Sequence, residues 1–436
     1  MKSGRICLLA LATACGSADD APGDRPAAPD QNDPAFRIAR VRDWLLVGNA
    51  LTPGQDDIEV QVFAPDGTDA VDVWLDDQPG VRLTHSDEGD FRGILDAADL
   101  EAGEHELLLG EGGADVAFAR LIIHRTHPLY VVVSTDWDDA DNPDASLELQ
   151  AQLHEDHAEL RLTHFVGPYT FTDETVPPER RAELADWVLG MRDDFGDEIG
   201  LHIHPWCSFV DTTDVTCRTE PSTVYDEGDD TGYTVMCSAY TEEEFTDLLL
   251  ASDDLFEEAG LGKATSFRAG GWTADLGTLH ALAAAGYVAD TSANNWARME
   301  EWNQPLSGNG VLYDWNMQHW ASIDDTSQPY YPSEDDILAT GAPAVSVLEV
   351  PDNGILVDYV SAAEMIEIFD ANWDGTTALA QPVAYSIGYH PPNFNVDYQD
   401  RIDDALRHAD QFLASQGTGP VVYATLSELT QVWPAP

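Results

Sequence analysis

The sequence predicts an α/β protein, a parallel sheet closing into a (β/α) barrel, preceded by a small all-β sandwich. Three observations carry this. From Leu129 onward, apolar runs such as LYVVVSTD, EIGLHIHPW and VAYSIGYHP alternate with helical stretches to the end of the chain. Strands covered by helices on both faces read as such near-continuous apolar runs. Between Phe36 and His127 the segments DIEVQVFAP, AVDVWLDD, HELLLGE and VAFARLIIH are instead short, alternating and punctuated by Gly, Pro and Asp, with no long helix among them. That is the pattern of a sandwich. The third observation is that residue types able to do chemistry gather where the later apolar runs end, which is where parallel α/β folds place their sites.

Taken in order, residues 1–15 open with Lys2 and Arg5, continue through the short apolar run Ile6 to Ala12, and reach Cys15 by way of small residues. The run is too short to span a bilayer and reads as an export signal. It resembles a bacterial lipoprotein signal with Cys15 as the lipidated residue, which implies an exported protein, periplasmic or extracellular, whose membrane contact is a lipid anchor. Residues 16–35 are rich in Ala, Pro, Asp and Gly and have little to bury, so they read as a flexible tether. Residues 36–127 form the expected sandwich, an accessory domain without a cluster of catalytic residue types. Residues 128–436 form the expected catalytic barrel.

The chain of 436 residues carries a formal charge of −60, with Lys2 and Lys263 as its only lysines. So negative a field excludes nucleic acid and anionic membrane as direct binding surfaces. No localised acidic tract points to a specific cationic partner; adaptation of the whole surface to a saline setting accounts for the charge. Beyond the signal stand Cys207, Cys217 and Cys237. In an oxidising compartment two of them pair and one is left over, with the choice of pair open.

Within the barrel, ASLELQAQLHEDHAEL and PPERRAELADWVLGMRDDF read as helices, the second opened by prolines. LTHFVGPYTF reads as a strand between them, and Thr241 with Glu244 forms a capping box for EEEFTDLLLASDDLFEEAG. Four strand ends carry polar groups. In VVVSTDWDDAD, strand alternation puts Ser134, Asp136 and Asp138 on one face and Asp139 on the other. In EIGLHIHPW, Gly200, His202 and His204 share a face while Ile199, Leu201 and Ile203 point away, and Pro205 ends the ladder. SFRAGGW brings Arg268, and AYSIGYHPP brings His390 on the face of Ser386 and Gly388.

Two His and one Asp are a ligand set for Zn²⁺ or a related divalent ion with positions left open for water and substrate. A second carboxylate can take the water's proton, a further His can protonate the leaving group, and Arg268 can hold the basic carboxylate ionised. The set is complete for metal-assisted hydrolysis of an amide or ester. Of the other histidines, His154, His157, His280 and His408 fall on helices and His85, His105, His124 and His127 in the β region, where structural roles suffice. His164 and His319 are undecided.

The order of an Asp-rich strand end, EIG-x-H, FRA-x-x, GY-x-x-D-x-S and a late strand-end His resembles the NodB-like polysaccharide deacetylases, over about Leu129 to Trp433. The resemblance implies a distorted (β/α) barrel and one divalent metal, with Zn²⁺ the expected ion. It implies removal of N- or O-linked acetyl groups from a cell-wall or extracellular polysaccharide. It assigns Asp136 as catalytic base, Asp138 and His202 as metal ligands, Arg268 as the residue orienting the base and His390 as general acid. Trp272 and Trp296 are then candidates for walling the sugar site. Three features depart from the family pattern. The aspartates WDD leave Asp138 as base with Asp139 as ligand as a second alignment. The two histidines are separated by one residue rather than three, so His204 reaches the metal from the same strand. The stretch from Cys207 to Cys237 is an added loop. Two other readings stand beside deacetylation: glycoside or other amide hydrolysis on the same barrel, and a non-catalytic surface glycan-binding lipoprotein.

Overall fold

The computed structural model describes residues 24–39, 41–86, 88–219, 235–304 and 310–435. Cys15, the rest of the signal and the start of the tether lie outside these residues, as does the middle of the Cys207–Cys237 loop. The chain divides into two compact units, one reaching to Leu45 and including Gln55–Arg125, the other comprising Leu46–Gly54 and Thr126–Pro436.

The first unit is antiparallel. Its strands are β1 (Arg37–Ala39), β2 (Trp44–Leu46), β3 (Asp57–Phe63), β4 (Val71–Leu75), β5 (Gln78–His85), β6 (Phe91–Asp96), β7 (Gly103–Glu111) and β8 (Ala119–Thr126). They form one sheet in the order β1-β3-β6-β5-β4-β7-β8-β2, rather than the two separate sheets of a sandwich. β5 is the shared strand: its end, Thr84 and His85, pairs with β6, and its earlier residues pair with β4. The sheet curls there into two layers, so that Val60 and Val62 of β3 share one core with Leu107 and Leu109 of β7. The tether-like stretch is not free over its described part. Ala27 bridges Val116, and Arg25 pairs with Glu106 at 2.6 Å. Backbone hydrogen bonds to the β7–β8 loop, from Ala27 N to Asp115 O and from Ala117 N to Ala27 O, both 2.9 Å, overcome a composition with little to bury.

The second unit is built on parallel strands β9 (Leu129–Asp136), β10 (Leu162–Val166), β11 (Glu198–Ile203), β12 (Ser266–Ala269), β13 (Ala289–Asp290), β16 (Leu348–Glu349), β17 (Val383–Tyr389) and β18 (Val421–Tyr423), with a β14–β15 hairpin (Pro332–Ser333, Asp336–Thr340) between β13 and β16. Helices over Asp144–Asp156, Pro178–Phe195, Glu242–Glu258, Leu276–Ala285, Ala362–Asn372 and Val396–Asp410 make the crossovers. The Thr241–Glu244 capping box is present. LTHFVGPYTF is strand only to Val166; Gly167 and Pro168 break the ladder, and Tyr169–Thr172 is a helical turn.

The sheet runs β16-β13-β12-β11-β10-β9-β17, with β18 on the first three residues of β9. The irregular segment after β16 completes the ring. On one side Asp352 donates its backbone N–H to Ala293 O (2.8 Å); on the other Gly354 and Val357 donate to Ser386 O and Gly388 O (2.8 and 2.9 Å). The result is a distorted (β/α) barrel. Side-chain alternation sorts its two cores. Tyr130, Val132, Phe165, Leu348 and Ala384 fill the interior, while Ile199, Leu201 and Ile203 join Leu184, Val188, Leu248 and Leu282 of the surrounding helices. Each such buried side chain contributes about 1.5–3 kcal/mol, so the register of β11 is strongly set. That register turns His202 and His204 away from the helix layer. No helix among the described residues is long and apolar enough to cross a membrane.

Candidate active site

β11 delivers His202 as its penultimate residue and His204 just past its end. The Nδ1–H of His202 donates to the carbonyl of Arg268 on the neighbouring strand (2.9 Å), which orients the ring and turns Nε2 toward Asp138 Oδ1 at 3.0 Å. His204 Nε2 lies 3.3 Å from the same oxygen. A Cβ on Gly270 would fall 2.5 Å from His204 Nδ1, so glycine at that turn is what lets the imidazole fit. β9 ends at Asp136, and Asp138 reaches the histidines through a tight turn in which its N–H donates to Asp136 O (3.0 Å). Asp139 is exposed and stands outside this group. One ligand atom each from Asp138, His202 and His204 lies within 4.8 Å of the others. Two imidazole nitrogens, one of them anchored through its far N–H, and a partly exposed carboxylate fit a divalent ion such as Zn²⁺.

Beside this set, the fully buried Arg268 directs Nη1 at both oxygens of Asp136 (3.0 and 3.1 Å), and its Nη2 lies 3.2 Å from Asp352 Oδ2. On the other side His390 Nε2 lies 3.5 Å from Asp138 Oδ2, and its Nδ1 lies 3.0 Å from Asp358. Burial opposes protonation of His390, but the charges of Asp138 and Asp358 override it and raise its pKa to about 10. Burial likewise opposes ionisation of Asp138. The charges of His390 and His204 and the hydrogen bond from His202 outweigh it, and hold that carboxyl well below the usual range. Burial pushes the Asp352 carboxyl up, against the charge of Arg268.

The structure thus brings Asp136, Asp138, His202, His204, Arg268 and His390 together at the C-terminal ends of the barrel strands. It does not give Trp272 an open face. Trp272 is 3% exposed and donates its indole N–H to Asp352 Oδ2 (3.0 Å), so it braces the carboxylate rather than offering a stacking surface. Trp296 is half-buried, edge-on to Tyr313. The aromatic residue that does face the site is Tyr359, edge-on to His390 with centroids 6.0 Å apart. Tyr359 also lines a cleft of about 790 Å³ with Asn295, Arg298, Glu301 and Glu364. Asp352, Asp358 and Tyr359 all lie on the irregular segment after β16. In the added loop Cys207 and Cys217 form a disulfide, and Cys237 is the buried free thiol, donating to Ile203 O at 3.2 Å.

No protein-family model matches the chain, and no curated protein does. Solved structures resemble it in backbone at low sequence identity. A protein assigned as a polysaccharide deacetylase from Mycobacterium smegmatis is 14% identical, with a TM-score of 0.41 over 70% of this chain and 89% of that one. A family 4 carbohydrate esterase from Streptomyces lividans, in complex with acetate, is 12% identical, with a TM-score of 0.34 over 70% and 96%. A protein assigned as a glycoside hydrolase/deacetylase from Parabacteroides distasonis is 13% identical, with a TM-score of 0.42 over 71% and 72%.

Proposed function

We propose that the protein is a metal-dependent hydrolase that removes acetyl groups, N- or O-linked, from a cell-wall or extracellular polysaccharide. The observation that carries this reading is the flanking of one donor set, Asp138, His202 and His204, by an arginine-anchored carboxylate on one side and the His390 imidazole on the other. A divalent ion on those donors, Zn²⁺ by their chemistry, would supply Lewis acidity toward the acetyl carbonyl and lower the pKa of a water. The chain's own groups do the rest. Asp136, kept facing Arg268 Nη1, accepts the proton of the attacking water. His390, held at Nδ1 by Asp358, gives an Nε2 proton to the departing amine or alcohol. The cleft beyond Tyr359 has room for the rest of the glycan. In the same reading the protein is exported and anchored through Cys15.

The test is acetate release from chitin oligomers and from acetylated wall glycan by metal-loaded protein. Release that stops with a chelator and returns with Zn²⁺ or Co²⁺ supports the proposal. Metal-loaded protein that releases no acetate from either substrate refutes it. Retention of a Cys15→Ser protein in the membrane fraction would remove the anchor from the reading.

A further inference from the structure

We propose that Asp352 is a positioning residue for this reaction, the acceptor that fixes Arg268 in its alignment on Asp136. The inference rests on the proposed deacetylation for its kinetic consequence, but not for its geometry.

The guanidinium of Arg268 is fully enclosed and uses every side of its fork. Nη1 faces Asp136, Nε donates to Thr291 O at 3.1 Å, and Nη2 is shared between Thr291 Oγ1 at 3.3 Å and Asp352 Oδ2 at 3.2 Å. Because the group is planar, fixing the Nη2 and Nε edges fixes the direction of Nη1.

Asp352 is itself held before it meets the arginine. Its Oδ2 accepts the Trp272 indole N–H at 3.0 Å and its Oδ1 accepts the Ser386 hydroxyl at 3.3 Å. Its backbone N–H and C=O bond Ala293 and Asn295. The carboxylate is therefore gripped from the turn after β12 and from β17, and its backbone from the residues following β13, while its own segment closes the barrel. A fully buried carboxylate with this many fixed donors is a rigid stop for a guanidinium. Its removal leaves only Thr291 to hydrogen-bond the Nη2 and Nε edges of the fork, and takes away one of the two carboxylates paired with Arg268. Trp272 belongs to the same device, which explains why its ring is buried.

The experiment compares the full-length, metal-loaded wild type with Asp352→Ala, Asp352→Asn and the milder Trp272→Phe. Kinetics on the acetylated glycan are paired with metal content per chain and with a crystal structure of each variant. In Asp352→Ala, kcat is expected to fall 10- to 100-fold, with KM within twofold and metal content as in the wild type, and Arg268 Nη1 is displaced from Asp136. Asp352→Asn, whose carbonyl oxygen still accepts from Trp272 and Arg268, recovers at least tenfold of a hundredfold loss. Trp272→Phe lowers kcat 3- to 10-fold with KM unchanged, and decides the question if Asp352→Ala does not fold. A loss carried by KM, or one that tracks lost metal, overturns the proposal. So does an Arg268 that stays on Asp136 without Asp352. If the wild type itself releases no acetate, the deacetylase reading fails, and the position of Arg268 in the variant structures alone upholds or overturns this inference.

Discussion

Strand β11 has an Asp–His–His cluster at each end, built from the same residue types at nearly the same distances, and the two differ in how open they are. At its C-terminal end Asp138 Oδ1 stands 3.0 and 3.3 Å from His202 and His204, with 23% of the aspartate side chain exposed. At its N-terminal end Asp197, the residue before the strand, places Oδ2 3.0 Å from both His154 and His164. There Oδ1 accepts the Leu162 N–H at 2.9 Å, Thr135 reaches His164 Nδ1 at 3.2 Å, and the side chains are 0–1% exposed. His154 also stacks on Phe195. The second cluster is closed, its aspartate oxygens both committed, and it joins a helix to β10 and to the start of β11. In a parallel barrel the C-terminal end of the strands serves chemistry and the N-terminal end serves stability. Residue type does not separate a ligand set from a structural knot; accessibility and the end of the strand do.

The largest effect that tests this contrast is at the open end. His202→Ala or His204→Ala should lower activity by at least on the order of 100-fold and cost the bound metal, while the thermal midpoint of metal-free protein moves little. Metal retained at wild-type affinity in either variant would break the comparison at its functional half.

Next in size is the closed end. Asp197→Asn should destabilise the fold by about 3 kcal/mol in urea titration, because it unpairs buried partners, and leave metal per folded chain and kcat unchanged. Its pH dependence has a definite sign. Burial opposes ionisation of Asp197, but hydrogen bonds from His154 and His164 win and lower its pKa below 3.8. Its contribution is therefore present above the unfolded value of 3.8 and is lost as pH falls through the folded one. Equal destabilisation of variant and wild type down to pH 3 would contradict the network. So would loss of metal from a folded Asp197→Asn protein.

The open end was legible in the sequence where the backbone is regular. EIGLHI on a strand fixes the face of His202 through the apolar Ile199, Leu201 and Ile203 that alternate with it, and His204, one step past the strand end, keeps that face. Asp136 and Asp138 were legible as candidates, but alternation is not what unites them, since β9 stops at Asp136 and a turn brings Asp138 across. Asp352, Asp358 and Asp197 were not legible. Two lie on a segment with only two strand residues, the third lies just outside β11, and among 80 Asp and Glu none stands out by type. Trp272 was legible as an aromatic near the site but not as a buried donor, because a turn with Gly271 at φ 60° folds it under the barrel rim. The two layers of the first unit were legible because period-two alternation reports which face is buried; that β5 runs through both layers, so that one sheet bends over, was not.

The smallest predicted effect concerns a third buried acidic group, on which the charge of Arg268 acts from the adjacent strand without a hydrogen bond. Asp290 and Glu349 are register partners on β13 and β16, both fully buried. Asp290 Oδ1 accepts the Ser292 hydroxyl and Glu349 Oε1 the Ala293 N–H, each at 2.8 Å, while Asp290 Oδ2 and Glu349 Oε2 are buried with no donor of their own. Arg268, on the adjacent strand, is committed to Asp136 and Asp352. One proton shared between the two carboxyls satisfies both. Burial raises Asp290 to about 6, and burial with the Asp290 charge pushes Glu349 well above its usual range. A carboxyl raised in the fold contributes fully below its unfolded pKa and loses that contribution as pH rises through the folded one, opposite in sign to Asp197. Glu349→Gln puts an amide N–H where the proton sits and keeps it there at every pH. In chelator-treated protein the variant should be about 1–2 kcal/mol more stable than wild type at pH 8 and indistinguishable from it near pH 4.5, by urea titration at both. A variant less stable than wild type at pH 8 would mean that the two carboxyls do not share a proton there.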